Sequence, residues 1–390
     1  MATAALSAMD VEQRLLTRNA LFERFFAGEA PRLARACREM AQRFLRGGRL
    51  LAFGQGPCMT DAQHVAVEFV HPVIVGKRAL PALDLSPAFD RWLDALLEPN
   101  DMVMGFGPPD GDSRVTAALG RAGARGAMTF ALPGRHGSYA IDQAAADPFV
   151  HQELIEILYH TLWETVHVFF EHRELGHDVG QAGFLYPFLG GEGAETPDLE
   201  GEVAASILMK VADDAALRTR AAADEAEHIH EAVGLIREGL NGGGKLITFG
   251  NGGSATDAND LALDCVAPPA GWRPIPAISL AMEPASVTAI ANDIGTEVVF
   301  LRQLIAHARS SDVAVGISTS GGSRNVVAAL EEGRKRGLRT IALLGYDGGE
   351  IVRRNLADVA IVVRSDYIPR IQEVQASIYH VIRESLEVRG

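Results

Sequence analysis

The stretch "GGKLITFGNGGSATDANDLALDCV", residues 243–266, decides how the chain is read. A short apolar run, Leu246 to Phe249, opens into Asn251-Gly252-Gly253-Ser254, and a helical pattern follows. Glycines allow a backbone to approach an anion, and the start of a helix points free N–H groups at it. The stretch therefore predicts strand, anion-binding loop and helix in succession. Its continuation raises a chemical question. Asp260 and Asp264 stand one turn apart on the predicted helix, and two carboxylates make a poor acid–base pair.

The same register occurs earlier in the chain. "GGRLLAFGQGPCMTDAQHVAVEFV", residues 47–70, aligns with the opening stretch without a gap. "NDMVMGFGPPDGDSRVTAALGRAGARGAMTFALPGRHG", residues 100–137, aligns with "SDVAVGISTSGGSRNVVAALEEGRKRGLRTIALLGYDG", residues 311–348. "HQELIEILYHTLWETV" from His151 aligns with "IQEVQASIYHVIRESL" from Ile371. Self-similarity of this kind marks a tandem duplication. We expect two three-layer α/β/α domains with parallel sheets, over residues 1–171 and 201–390. The Gly-, Pro- and acid-rich segment 172–200 would join them.

The two copies retain different chemistry. In the second, Asn251, Gly252, Gly253 and Ser254 form one loop, and Ser318, Thr319, Ser320, Gly321, Gly322 and Ser323 form another before a helix. Hydroxyls together with helix-start N–H groups suit phosphate oxygens. In the first copy the second loop has Gly107, Pro108, Pro109 and Asp112 at the positions of Ser318, Thr319, Ser320 and Ser323. Proline offers no N–H, and Asp110 and Asp112 repel an anion. The first copy instead has His64 and Glu68 at the positions of Asp260 and Asp264, with Gln152 and His160 aligned to Gln372 and His380. Two imidazoles, a carboxylate and an amide oxygen are a plausible zinc set, and Glu with His a plausible proton-transfer pair. One reservation is geometric: eight helical residues separate Gln152 from His160 by about 12 Å. Both can reach one ion only if Gln152 lies in a non-helical entry or another chain contributes. Trp163, His167 and Phe170 recur at helical spacing and are read as core or interface.

At these residues the sequence resembles the sugar isomerase (SIS) superfamily, and both halves resemble its phosphoheptose isomerases. "GNGGS", "AND" at 291–293, "GISTSGGS" and "RIQE" follow that family's order. The resemblance implies a ketose–aldose phosphate isomerase working through an enediol, most specifically on sedoheptulose 7-phosphate, with zinc as cofactor. Carried across, it assigns substrate binding to Asn251, Gly252, Gly253, Ser254, Asn292, Asp293, Ser318, Thr319, Ser320, Ser323 and Gln372. It assigns His64, Glu68, Gln152 and His160 to the metal, and Glu68 and His160 to proton transfer. Since each half keeps one intact set, a composite site is expected, with phosphate held by the second domain and chemistry done by the first. A homodimer of two-domain chains would reproduce four isomerase-like units. The alternative is a non-catalytic sugar-phosphate-binding regulatory or assembly protein of the same superfamily.

Bulk properties set the remaining bounds. The 390 residues carry a formal charge of −14, which argues against nucleic acid and anionic membranes as partners. No apolar run approaches the roughly 18 residues of a bilayer span. Three scattered cysteines and an N-terminus without a signal-peptide pattern lead us to expect a cytoplasmic protein with reduced thiols.

Overall fold

The computed structural model describes residues 7–73, 77–174 and 199–387. It divides into two compact units: residues 20–215, here the first unit, and residues 1–19 with 216–390, the second. Each contains one five-stranded parallel sheet.

In the first unit the helices are α1 (Ala8–Leu45, continuing from the second unit), α2 (Met59–Val70), α3 (Phe89–Leu96), α4 (Ser113–Ala124) and α5 (Pro148–Glu174). The strands are β1 (Leu50–Gly54), β2 (Ala82–Asp84), β3 (Met102–Phe106), β4 (Met128–Leu132) and β5 (Tyr139–Ala140), in sheet order β2-β1-β3-β4-β5. Every residue of β1, β3 and β4 is buried, as expected where helices cover both faces of a parallel sheet. Strand alternation divides the apolar residues between two cores. Leu50, Ala52, Met102 and Met104 pack with Phe22, Phe26, Val65, Phe69, Leu158 and Trp163 from α1, α2 and α5. Leu51, Phe53 and Val103 pack on the other face with Phe89, Leu93, Val115 and Leu119 from α3 and α4.

The second unit repeats the plan. Helix α6 (Leu199–Asn241) leads into β6 (Leu246–Phe249), α7 (Gly253–Val266), β7 (Ala277–Ser279), α8 (Pro284–Asp293) and α9 (Val299–His307). Then come β8 (Val313–Ser318), α10 (Arg324–Lys335), β9 (Arg339–Gly345), α11 (Gly349–Arg353), β10 (Val359–Val363) and α12 (Ile368–Glu387). The sheet order, β7-β6-β8-β9-β10, matches that of the first unit strand for strand. The duplication extends to structural details. Asp101 Oδ1 accepts from the Arg49 backbone N–H at 3.0 Å, and Asp312 Oδ1 from that of Lys245 at 2.9 Å. These aligned, buried aspartates clamp the start of β1 and of β6.

By packing, the chain divides inside two long helices. Val11 and Leu15 of α1 pack in the core of the second unit, and Arg14 and Arg18 bind Glu384 of α12 at 2.8 and 2.6 Å. Val203, Ile207 and Val211 of α6 pack in the core of the first. A long helix contributes to a core wherever its apolar face finds one, so the packing boundary falls inside helices. Residues 175–198, most of the expected connector, lie outside the described residues. Trp163 and His167 are core, as expected: the imidazole nitrogens lie 2.9 Å from the Trp163 and Arg78 carbonyl oxygens. Among the described residues, no helix is long and apolar enough to cross a membrane.

Candidate functional site

In doubly wound sheets ligands sit at the carboxyl ends of the strands, where strand order reverses. In the second unit that point lies between β6 and β8. Both hydroxyl-bearing loops are there: 250–254 follows β6, and 319–323 follows β8. Gly250 allows the strand to meet the helix start, since a Cβ there would lie 2.3 Å from the Ser254 carbonyl oxygen and 2.9 Å from that of Ile317. Gly252 has φ +57°, a conformation glycine adopts without strain. Ser254 and Ser318 are buried, whereas Asn251, Gly252, Ser320 and Gly322 are exposed. The Ser318 and Ser323 hydroxyls lie 3.2 Å apart.

The two loops are joined by a pair that sequence reasoning missed. Asn251 Nδ2 donates to Asn325 Oδ1 at 2.9 Å, and Asn325 Nδ2 donates to Asn251 Oδ1 at 2.8 Å. The only signal was an amide at the second position of the helix after the serine loop. A Cβ at Gly345 would lie 2.6 Å from the Thr319 carbonyl oxygen and 2.7 Å from the Ile371 side chain, so the start of α12 packs close to the second loop; Gln372, the next residue, is buried. Asn292 and Asp293 end α8, exposed and hydrogen-bonded to each other at 2.8 Å.

The helix starts show why the halves differ toward anions. Neither α7 nor α10 is capped by the side chain of its N-cap residue; in α10 Asn325 Oδ1 accepts from the Val326 N–H at 3.0 Å, and the earlier N–H groups are left for a ligand. In the first unit, Asp112 caps α4 and accepts from the Arg114 and Val115 N–H groups at 2.8 and 2.9 Å. Its carboxylate occupies the place an anion would take.

The first unit assembles its own cluster. Helices α2 and α5 bring His64, Glu68 and His160 together, each no more than 3% exposed. His64 Nε2 lies 3.4 Å from His160 Nε2, and Glu68 Oε1 lies 3.8 and 3.9 Å from them. A circle through three points so separated has a radius of about 2.1 Å, the length of a zinc–nitrogen or zinc–oxygen bond. The donor set therefore fits a divalent ion. Gln152 lies within helix α5 and donates to Thr60 Oγ1 at 3.2 Å. The structure thus gathers three of the four expected residues into one group and carries Gln152 toward the start of α2.

At the aligned positions of the second unit, His380 Nε2 lies 3.4 Å from Asp260 Oδ2 and 3.2 Å from Asp264 Oδ2. The Tyr379 hydroxyl donates to Asp260 Oδ2 at 2.8 Å. Burial, reinforced by the Asp260 charge, pushes the Asp264 carboxyl up to about 7.

Two hydroxyl-rich loops at the switch point of a 2-1-3-4-5 parallel sheet are an architecture for holding a phosphorylated ligand. The SIS domain pattern matches residues 211–345, and the chain belongs to the SIS-domain family. Its relatives narrow the class. The phosphoheptose isomerase of Nitratiruptor sp. is 47% identical over 156 residues, 40% of this chain and 82% of its own length. That of Citrifermentans bemidjiense is 46% identical over 160 residues, 41% of this chain and 82% of its own. A solved structure, the C-terminal domain of glucosamine-fructose-6-phosphate aminotransferase from Francisella tularensis, aligns over 99% of this chain and 97% of its own. Its TM-score is 0.64 at 9% identity, a likeness of fold alone.

Proposed function

We propose that the protein is a ketose–aldose isomerase that interconverts sedoheptulose 7-phosphate and D-glycero-D-manno-heptose 7-phosphate. The observation that carries this is the pairing of two uncapped, hydroxyl-lined helix starts with a buried His64–Glu68–His160 group in a chain whose relatives are phosphoheptose isomerases. The phosphate is held by Ser254, Ser318, Thr319, Ser320 and Ser323 with the first-turn N–H groups. Asn251, Gly252 and Gly253 shape the first loop, and Asn292, Asp293 and Gln372 contact the sugar. Binding a remote phosphate fixes the reacting carbons and lowers the entropic cost of the transition state. The Glu68 carboxylate takes the C1 proton of the ketose, and the electron pair forms the C1–C2 double bond. His160 supplies a proton to O2 and accepts one from O1, and Glu68 returns its proton to C2 to give the aldose. Zinc would be held by His64, Glu68 and Gln152, with His160 either completing the set or, as above, moving the protons, and would polarise the substrate carbonyl.

Each half keeps only one of the two sets, so phosphate-binding and proton-transfer groups are proposed to come from different halves. The homodimer is part of the same proposal; light scattering on the eluting protein should give twice the chain mass. The non-catalytic reading draws on one observation: in the half that matches the SIS pattern, aspartates occupy the acid–base positions.

Proton NMR of sedoheptulose 7-phosphate in D2O, with zinc-loaded and chelator-stripped protein, tests the proposal. Deuterium entering at C1, with an aldose signal, is expected in the loaded sample. Absence of both, with the phosphate resonance still shifting on binding, favours the non-catalytic reading.

A further inference from the structure

The reaction proposed above leaves unused a cavity of about 740 Å3 in the first unit. It lies at the carboxyl ends of β4 and β5, with α1 on one side and residues 134–144 on the other. We propose that it is a binding site for a small organic anion, with a carboxylate or phosphate head on Arg24 and Arg135 and an apolar body against Leu21, Phe25 and Ile141. The inference holds whether or not the chain is an isomerase.

The lining joins an apolar floor to a cationic rim. Leu21 and Phe25 of α1 are half-buried and pack against the core of the unit, and Ile141 is buried, whereas Arg24 and Arg135 are exposed. Phe26 meets the Phe25 ring edge-on, with centroids 5.2 Å apart, which holds the ring in place. The volume falls in the range of small-molecule sites, which pair apolar walls with a few placed polar groups.

Charge is the second argument. Arg24, Arg32 and Arg135 line the cavity with Glu29 and Asp142, an excess of positive charge in a chain of formal charge −14. Arg32 and Glu29 are committed to each other and to the fold. Arg32 Nη1 donates to the two Glu29 oxygens at 2.8 and 2.9 Å, and its Nη2 to the Ala140 carbonyl oxygen at 2.8 Å. The Tyr139 hydroxyl donates to Glu29 Oε2 at 3.0 Å. The Arg135–Asp142 pair is 3.6 Å long with side chains 85% and 81% exposed, a geometry that contributes little. Among the described residues, Arg24 has no acidic partner. Two guanidinium groups without a strong counter-charge therefore stand beside an apolar wall, and their planar donors match carboxylate and phosphate oxygens. The switch point of the same unit offers an anion no such place, because Asp112 already caps α4.

The second copy supplies an internal control. Glu29 and Arg32 align with Glu225 and His228, and His228 Nδ1 lies 2.8 Å from Glu225 Oε2, so the anchoring pair occurs twice. A cavity of about 790 Å3 lies at the carboxyl ends of β9 and β10, the matching edge of that sheet. Its lining differs in kind. Arg353 and Arg364 are outnumbered there by Asp347, Glu350 and Asp366, and Arg364 donates to Glu225 at 2.6 Å. Ala221 and Tyr346 stand at the positions of Phe25 and Arg135. Anchoring the helix requires only the shared pair. The residues that differ in the first unit, Phe25 and Arg135, are the ones that suit an anion with an apolar body.

The test uses the full-length Ser318→Ala/Ser320→Ala variant, in which the hydroxyl loops of the second unit no longer compete for a phosphate probe. Phenyl phosphate and benzoate are titrated into it by calorimetry, and the tighter binder identifies the head group. Adding Arg24→Ala/Arg135→Ala should weaken that binding at least about tenfold, through lost charge-assisted hydrogen bonds. Adding Phe25→Ala, which installs the residue of the other copy, should weaken phenyl phosphate more than inorganic phosphate, because only the former has a ring to bury. Each variant is checked by circular dichroism. The proposal is overturned if the serine variant binds neither probe at about millimolar concentration. It is equally overturned if the binding observed is indifferent to the two arginine changes. Should Phe25→Ala fail to fold, the exposed arginine pair still decides.

Discussion

His151 offers a quantitative check on the packing of the first unit. It opens the terminal helix motif, is 2% exposed, and aligns with Ile371, which is fully buried. Burial lowers its imidazole to about 4, with a backbone contact from Gly107 opposing the shift. An imidazole depressed in the folded state binds fewer protons there than in the unfolded chain between about pH 4 and 6.5. Stability should therefore rise with pH across that window and be lost as pH falls through it. With an unfolded value of about 6.5 and a folded value of about 4, linkage gives a loss of about 2 kcal/mol between pH 7 and pH 5, and up to about 3 kcal/mol by pH 4. Replacing the ring with the residue found in the other half, His151→Ile, removes the titration and keeps the site apolar. Urea unfolding of both proteins at pH 5, 6, 7 and 8, followed by far-UV circular dichroism, should show a shallower acid slope for the variant by about 2 kcal/mol. Equal slopes for the two proteins would refute the reasoning and place the imidazole in contact with water.

Three further outcomes are expected. Glu68→Gln should reduce turnover by at least about a thousandfold while sugar-phosphate affinity stays within a few-fold, measured by coupled assay and calorimetry; unchanged turnover would remove Glu68 as the base. Asn325→Ala deletes both amide hydrogen bonds to Asn251, each worth about 1 kcal/mol, so phosphate-ligand affinity should fall about 5- to 30-fold with kcat nearly unchanged. A fall in kcat at constant KM would instead give Asn325 a role in the chemical step. Gly250→Ala forces a methyl against two backbone carbonyl oxygens and should destabilise the protein by about 1–3 kcal/mol and abolish the phosphorus-31 shift on ligand binding; wild-type stability would contradict the close approach of strand and helix.

The sequence alone determined the doubled α/β architecture, because alternating strand and helix periodicities and gap-free repeats are local signals. It also located the two hydroxyl loops and placed His64 on one helical face with Glu68, since i, i+4 spacing is fixed by the helix itself. What it left open depends on contacts between residues distant in the chain. That Gln152 lies within helix α5, with its amide donating to Thr60, could not be read from spacing. Asp112 read as a charge that repels phosphate; its place as the cap of α4 shows the N–H groups already satisfied. The Asn251–Asn325 pair joins residues 74 positions apart, and an amide near a helix start does not by itself reveal its partner. The split of α1 and α6 between the two packing units follows from which core each apolar stretch reaches. Tertiary structure decided these points because local spacing fixes which residues share a face, while only folding brings two faces together.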